Sequence, residues 1–299
     1  MFNQVSIIGC GLIGSSVLRC LKKNKSVKKI VSFDKNKSVN DLIKKNNLSD
    51  QVAANLRDAV TNSDLVLIAT PLSSFESVID SIKDNLKQGS ILTDTCSVKK
   101  GINKIISNKK IKRSTWIPGH PVAGTENSGP DAGFADLFKD RWTILSPEKN
   151  IKDSEIKKVS LFWESMGSKV KIMKSEDHDK IISLTSHLPH VIAYNIVKTV
   201  METDEKTKND IIRYSAGGLR DFTRIAASDP IMWRDIFIDN SNLIIEAIDN
   251  FSKNLDEFKK AINDKDEEKL LEIFEKSKEF RKSIIKAGQD TDKPDFGRK

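Results

Sequence analysis

QVSIIGCGLIGSSVLRCLKKNKSVKKIVSFD, residues 4–34, decides the fold. A short apolar run from Gln4 to Ile8 stops at Gly9. Gly9, Cys10, Gly11, Leu12, Ile13 and Gly14 then open a helical pattern that continues through Leu18 and Leu21. A second apolar run, Lys29 to Phe33, ends on Asp34, twenty residues after Gly14. Strand, glycine turn, helix, strand and acid, in that order, are the full context that a GxGxxG needs before it reads as a dinucleotide site. Gly9 permits the turn, Gly11 lets a pyrophosphate reach the backbone, and Gly14 lets the helix pack closely. The first amides of the helix and its dipole face the phosphates. Asp34 can accept bonds from ribose hydroxyls and would repel a 2'-phosphate, so NAD is expected rather than NADP. A glycine-rich turn with no nucleotide is the plainer alternative, and the strand, helix and acid together weigh against it.

The same alternation continues outward. Asp64 to Ala69 reads as a buried strand ending at Thr70 and Pro71, a helical segment runs to Leu86, and Ser90 to Asp94 is another strand. Alternating strands and helices imply α/β architecture with a doubly wound parallel sheet of Rossmann type, taking residues 1–150. Ligands on such sheets lie beyond the carboxyl ends of the strands. Thr70, Pro71 and the segment Asp94 to Lys99 are therefore expected to face the cofactor, with Ser97 beside a substrate hydroxyl. Ser97 also suits the N-cap of a helix beginning near Val98.

Trp116 and Ile117 form one more strand that delivers PGHPVAGTENSGP, residues 118–130, to that edge. This loop is polar, rich in Gly and Pro, and lies within a stretch free of Lys and Arg from Ser114 to Phe138, although Lys is scattered almost everywhere else. Such a segment suits close approach to a ligand. Of the four histidines in the chain, His120 is the one placed to do chemistry.

From about residue 151 to 286 helical periodicity dominates, with one strand-like interruption at Lys169 to Met173. Ile181 to Val197 lacks Lys and Arg; Asn209 to Ser252 lacks Lys yet holds Arg213, Arg220, Arg224 and Arg234. Loss of Lys in a Lys-rich chain implies burial, and Arg without Lys suits carboxylate recognition. For Arg213, Arg220 and Arg234, structural pairs with Asp221, Asp229, Asp235 or Asp239 are the preferred reading. His187 and His190 lie three apart, a spacing open to a metal. No third ligand accompanies them and Pro189 interrupts the helix, so hydrogen bonding to substrate or core is favoured and no metal is expected. Residues 287–299 read as a polar tail.

The 299 residues fit two domains, and 38% hydrophobic with 31% charged residues is an ordinary globular balance. The net charge of +8 is spread over helix faces where Lys alternates with Asp and Glu, which argues against a nucleic-acid partner. The absence of a membrane-spanning run, of a secretory leader and of paired cysteine spacing among the three cysteines points to a cytoplasmic protein.

The motifs GCGLIGSS at Gly9 to Ser16, DTCSVK at Asp94 to Lys99, GHPVAGTENSG at Gly119 to Gly129, TSHLPH at Thr185 to His190 and GGLRDFTRIAASDPIMWRDI at Gly217 to Ile236 resemble, in that order, the prephenate dehydrogenases, arogenate and cyclohexadienyl dehydrogenases included. The resemblance implies an NAD-dependent oxidative decarboxylation in tyrosine biosynthesis by a homodimer with a mostly helical substrate-binding and dimerisation domain. The length also resembles that of members without a chorismate mutase or an ACT domain. The resemblance makes His120 the acceptor for the substrate's ring hydroxyl, Ser97 the residue that holds that hydroxyl and the histidine in register, and Arg224 the grip on a carboxylate. His190 and Glu126 then border the substrate, with His187, Ser186, Thr125 and Trp233 at pocket positions. Two other classes compete: a β-hydroxyacid-type dehydrogenase, which shares the architecture but carries a catalytic lysine on its long helix, and a non-catalytic NAD-sensing module, which would leave His120, Ser97, Glu126 and Arg224 without a purpose.

Overall fold

A computed structural model describes residues 2–288. In chain order the elements are β1 (Gln4–Ile8), α1 (Leu12–Asn24), β2 (Lys29–Phe33), α2 (Lys37–Lys45), β3 (Gln51–Val52), α3 (Leu56–Val60), β4 (Leu65–Ile68), α4 (Leu72–Ile82), β5 (Ser90–Asp94), α5 (Lys100–Lys109), β6 (Ser114–Trp116), β7 (Gly119–Pro121) and β8 (Trp142–Leu145). They continue with α6 (Asp153–Glu164), β9 (Lys169–Ile172), α7 (Ser175–Ile182), α8 (Leu188–Met201), α9 (Glu205–Tyr214), α10 (Gly217–Thr223), α11 (Pro230–Asp239), α12 (Ser241–Asn263) and α13 (Glu267–Lys286).

Six strands make one parallel sheet in the order β3-β2-β1-β4-β5-β6. The order reverses between β1 and β4, the switch point where such sheets open a crevice. β4 is buried along its whole length and β1 after its first residue, as expected for strands covered on both faces. Two apolar clusters flank the sheet. Val5, Ile7, Val17, Leu18, Leu21, Phe138 and Trp163 belong to one; Ile8, Val66, Ile68, Phe75, Ile79 and Trp116 belong to the other.

A second, smaller sheet has the order β7-β8-β9, with β7 and β8 antiparallel and β8 and β9 parallel. Past the expected boundary at residue 150, Val159, Phe162, Trp163 and Met166, on and just after α6, share the core of the first sheet, and β9 pairs with β8. The helical periodicity of 153–164 reads correctly as helix, but periodicity does not say which core a helix covers.

The described residues form two compact units, divided after Ile244. In the second, α12 continues into α13 through a turn in which Lys265 takes a left-handed φ of 51°, and Phe258 stacks on Phe274. Among the described residues, no helix is long and apolar enough to cross a membrane. The polar tail expected from 287 onward lies, past Gly288, outside the described residues.

The burial expected for the Lys-free stretches is only partly met. His187 and Trp233 are buried, but Ile212, Tyr214, Phe222 and Ile238 are each at least 66% exposed. Loss of Lys here marks apolar surface as well as core, and composition does not distinguish the two.

Candidate active site

The glycine turn has the geometry its residue types demand. Gly9 has φ +87°, and a Cβ there would lie 2.7 Å from the Ala69 carbonyl oxygen. A Cβ on Gly14 would sit 1.9 Å from the Gly9 carbonyl oxygen, whereas one on Gly11 would meet nothing within 4 Å. Gly11 therefore guards open space, as a position against which a pyrophosphate lies should. It is also the N-cap of α1 and supplies no side-chain cap, which leaves the first amides of the helix, next to Leu12 and Ile13, to a ligand. Across the switch point, Thr70 Oγ1 is buried with no partner among the described residues, and Pro71 is the N-cap of α4. Asp34 already accepts from the Cys10 and Asn36 amides at 2.8 Å each. A carboxylate has about four lone-pair positions, so the two that remain can still take hydroxyls. These features fit a dinucleotide.

On the far side of the sheet edge, β7 carries His120, which is only 7% exposed. Its Nδ1 lies 2.8 Å from Nε2 of His178 on α7, and His178 Nδ1 lies 2.7 Å from Asp179 Oδ1. Asp179 also accepts from the backbone amides of Lys99 and Lys100 at 2.8 and 2.9 Å, capping α5 from another element. This displaces the alternative reading of Ser97 as that helix's N-cap: the N-cap residue is Lys99. Ser97 stands half-buried in the loop between β5 and α5, and among the described residues no hydrogen bond joins it to His120.

Burial, then the neighbouring His178, Lys99 and His187, hold His120 well below the ordinary histidine value, so the ring is neutral near pH 7. Burial likewise lowers His178, against the opposing hydrogen bond to Asp179. Burial alone would raise the Asp179 carboxyl; the bonds from His178 and the two amides bring it below its usual range.

Asp94 is tied into the protein interior. Its side chain and that of Lys99 are both fully buried, with Lys99 Nζ 2.5 Å from Asp94 Oδ2 and 2.6 Å from the Gly119 carbonyl. Asp94 Oδ1 accepts from the Gly119 amide and Oδ2 also accepts from Cys96. The carboxylate faces inward and ties the end of β5 to Gly119, the residue before His120.

The helical side is built around a widened turn. Between α7 and α8, residues Ser183–His187 form a π-helical turn in which the Leu188 amide reaches back to the Ser183 carbonyl. Pro189 has no amide to continue the regular ladder, and such π turns accommodate that loss. His187, fully buried, takes a bond on Nδ1 from Asn240 at 3.2 Å, and burial lowers its pKa to about 4. His190 donates from Nδ1 to the Ser186 carbonyl at 2.8 Å and lies flat on Trp233, with centroids 3.5 Å apart and planes 23° apart. The two rings thus face different partners, unlike a metal pair.

Arg224, at the end of α10, bonds Glu126 through Nη1 at 2.7 Å, and its charge adds to burial in lowering His190. Arg220 and Arg234 pair with Asp221 and Asp235, as preferred from the sequence; Arg213 instead lies over the Tyr214 ring. Thr125 is exposed and accepts from the Asn127 amide within the loop.

Sequence reasoning missed His178, Asp179 and Asn240 as parts of this site. His178 sits in SEDHDK, where it reads as one polar residue among charges on a helix face. Only the packing of α7 against the end of β5 turns it inward.

The chain is similar to known proteins along most of its length. Residues 17–172 match the family profile described as the prephenate dehydrogenase nucleotide-binding domain, and residues 174–276 match the prephenate dehydrogenase dimerization domain. A cyclohexadienyl dehydrogenase of Zymomonas mobilis is 39% identical over 95% of this chain and 97% of its own length. A prephenate dehydrogenase of Lactococcus lactis is 31% identical over 94% of this chain and 77% of its own. The crystal structure of prephenate dehydrogenase from Aquifex aeolicus, in complex with hydroxyphenyl propionate and NAD+, superposes with a TM-score of 0.87 at 32% identity, covering 95% of this chain and 99% of that one. The chain belongs to the prephenate dehydrogenase family.

Proposed function

We propose that this protein catalyses the NAD-dependent oxidative decarboxylation of prephenate to 4-hydroxyphenylpyruvate, or of arogenate to tyrosine, in tyrosine biosynthesis. The observation that carries the mechanism is the bond from His120 Nδ1 to His178, which leaves Nε2 as the end of the ring available to a substrate. When bound, NAD supplies the hydride acceptor for the ring carbinol carbon. His120 takes the hydroxyl proton on Nε2: the O–H bond breaks and an N–H bond forms. Loss of carbon dioxide from the opposite ring carbon then restores aromaticity and drives the reaction. The protein needs only to orient the substrate, accept one proton and hold the carboxylates.

In this reading Ser97 holds the hydroxyl from the β5 side. Arg224 grips a carboxylate with the part of its guanidinium fork not given to Glu126. His190 and Trp233 form a flat wall, and His187, Ser186 and Thr125 line the periphery. The exposed apolar side chains of α9 and α10 support assembly as a homodimer, the commonest closed symmetry. Three buried free cysteines suit a reducing, cytoplasmic setting.

The test is absorbance of NADH with purified protein, NAD and either prephenate or arogenate, beside His120→Asn. NADH formation that the substitution abolishes supports the reading. Unchanged turnover in His120→Asn removes the base assignment, and no turnover with either substrate in protein that binds NAD removes the activity.

A further inference from the structure

We propose that His178 and Asp179 are positioning residues that hold His120 in the single tautomer able to accept a proton from substrate. The inference rests on the role of His120 given above, and the order of donors follows from chemistry at the far end of the chain of bonds. Asp179 accepts from the Lys99 and Lys100 amides, both of which can only donate, and with the His178 bond they hold its carboxyl below the usual range, so it is ionised and can only accept. His178 Nδ1, 2.7 Å away, must then carry a proton. In a neutral imidazole the other nitrogen is a bare acceptor, so His178 Nε2 accepts. His120 Nδ1, 2.8 Å from it, must therefore carry its own proton, and Nε2 of His120 is left with its lone pair toward the substrate side.

No surface feature sets this order. His178 is fully buried and Asp179 nearly so, and the two rings meet edge to face at 69° with centroids 5.0 Å apart. The carboxylate that starts the chain is held at the N-terminus of α5, where backbone amides and the helix dipole favour a negative charge. Lys99, fixed by Asp94 and Gly119, and His187, fixed by Asn240, are the other charged or titratable groups whose fields reach His120; Lys99 and Asp94 also act on His178. When His120 takes the substrate proton, its imidazolium donates through Nδ1 to His178. The negative charge of Asp179 stands two hydrogen bonds away to offset the new positive charge. No second proton transfer is required.

Asp179→Asn is the discriminating substitution. Asp179 Oδ1 accepts from both the Lys99 amide and His178 Nδ1 while Oδ2 accepts from the Lys100 amide, so the uncharged amide group must set its NH2 against one of these backbone donors. With the NH2 toward His178, that ring shifts its proton to Nε2 and donates to His120, which moves the His120 proton to Nε2 and blocks the base; with the oxygen toward it, the negative charge that offsets the His120 imidazolium is still lost. The expected result is a fall in kcat of roughly 10³ to 10⁴-fold, the size seen when an orienting carboxylate is replaced by an amide that imposes the wrong tautomer. KM and NAD affinity should change by less than about threefold, because neither residue touches substrate or cofactor in this scheme. His178→Gln, which keeps an acceptor, should retain more kcat than His178→Phe, which keeps none.

The deciding readout needs no activity and no variant: nitrogen-15 NMR of the histidine rings in the native protein, with the His120 signal assigned. Protonation at Nδ1 with bare Nε2 supports the proposal; a proton on Nε2 overturns it even if Asp179→Asn fails to fold. A folded Asp179→Asn with kcat within about threefold of the parent also overturns it. If His120→Asn retains turnover while the native ring shows the expected tautomer, it is the base assignment that fails, and the two failures stay separate.

Discussion

Arg224 and Glu126, ninety-eight residues apart in sequence, meet at 2.7 Å between the guanidinium Nη1 and a carboxylate oxygen. Both are partly exposed, so the pair contributes little to stability, and its value lies in pointing a planar fork. A substrate carboxylate can occupy the remaining donors without displacing Glu126. Arg224→Gln should therefore raise KM for prephenate or arogenate by about 10 to 100-fold, the equivalent of one or two charge-assisted bonds, with a smaller effect on kcat. Steady-state kinetics of the purified variant checks this; a fall in kcat at unchanged KM would mean that the arginine acts on the reacting bonds instead.

The first sheet was legible from residues 4–34 because every local signal there agrees: apolar run, glycine spacing, helical period and terminal acid. The helical half was legible as helices but not as a surface, since Ile212 and Phe222 have the same composition signature whether covered by their own chain or by another. The site split in the same way. His120 stood out because a Gly-Pro loop announced it, and Arg224 because Lys vanishes around it. His178 did not, because its inward direction is set by α7 packing beside α5, a contact between residues eighty apart that no local pattern carries. The partner of Asp94 was hidden for a related reason: its position at a strand end reads as a cofactor contact, and only the folded chain shows that the buried lysine five residues later bonds it.

The glycine turn separates folding from cofactor binding. Gly14→Ala places a Cβ where the Gly9 carbonyl oxygen already is, at 1.9 Å, so the turn must open and the fold weaken. Gly11→Ala meets nothing within 4 Å and should leave the protein folded. The added methyl group would instead occupy the space a pyrophosphate needs. NAD affinity measured by calorimetry should fall at least about tenfold in Gly11→Ala, with thermal stability kept, because one misplaced contact of about 1.4 kcal/mol already has that effect.

Lys99 and Asp94 form a fully buried pair that joins β5 to β7. Lys99→Met removes the cation and leaves a carboxylate inside with only amide partners. Breaking one side of a buried pair costs about 3 to 5 kcal/mol, so urea unfolding should show a loss of that order. The double variant Lys99→Met, Asp94→Leu should recover part of it, since replacing both partners removes the stranded charge. Failure of the double variant to recover any stability would place the pair's value in its bonds to Gly119 and Cys96 rather than in charge compensation.

His187 sets a pH dependence whose sign follows from its burial. Desolvation is the largest influence and lowers its folded pKa to about 4, with His178 and His190 acting in the same direction and Asp179 against it. Free histidine titrates near about 6.5, so between those values the unfolded chain binds a proton that the folded chain excludes. The folded state then holds the full contribution of neutral His187 above pH 6.5 and loses it as pH falls toward 4. The contribution is about 3 kcal/mol at most. Denaturant midpoints measured from pH 7 to 4.5 should decline, and His187→Asn, which carries no titrating ring, should flatten part of that decline. An identical slope in the variant would assign the acid sensitivity to His120 and His178, whose folded values are lowered by the same cause.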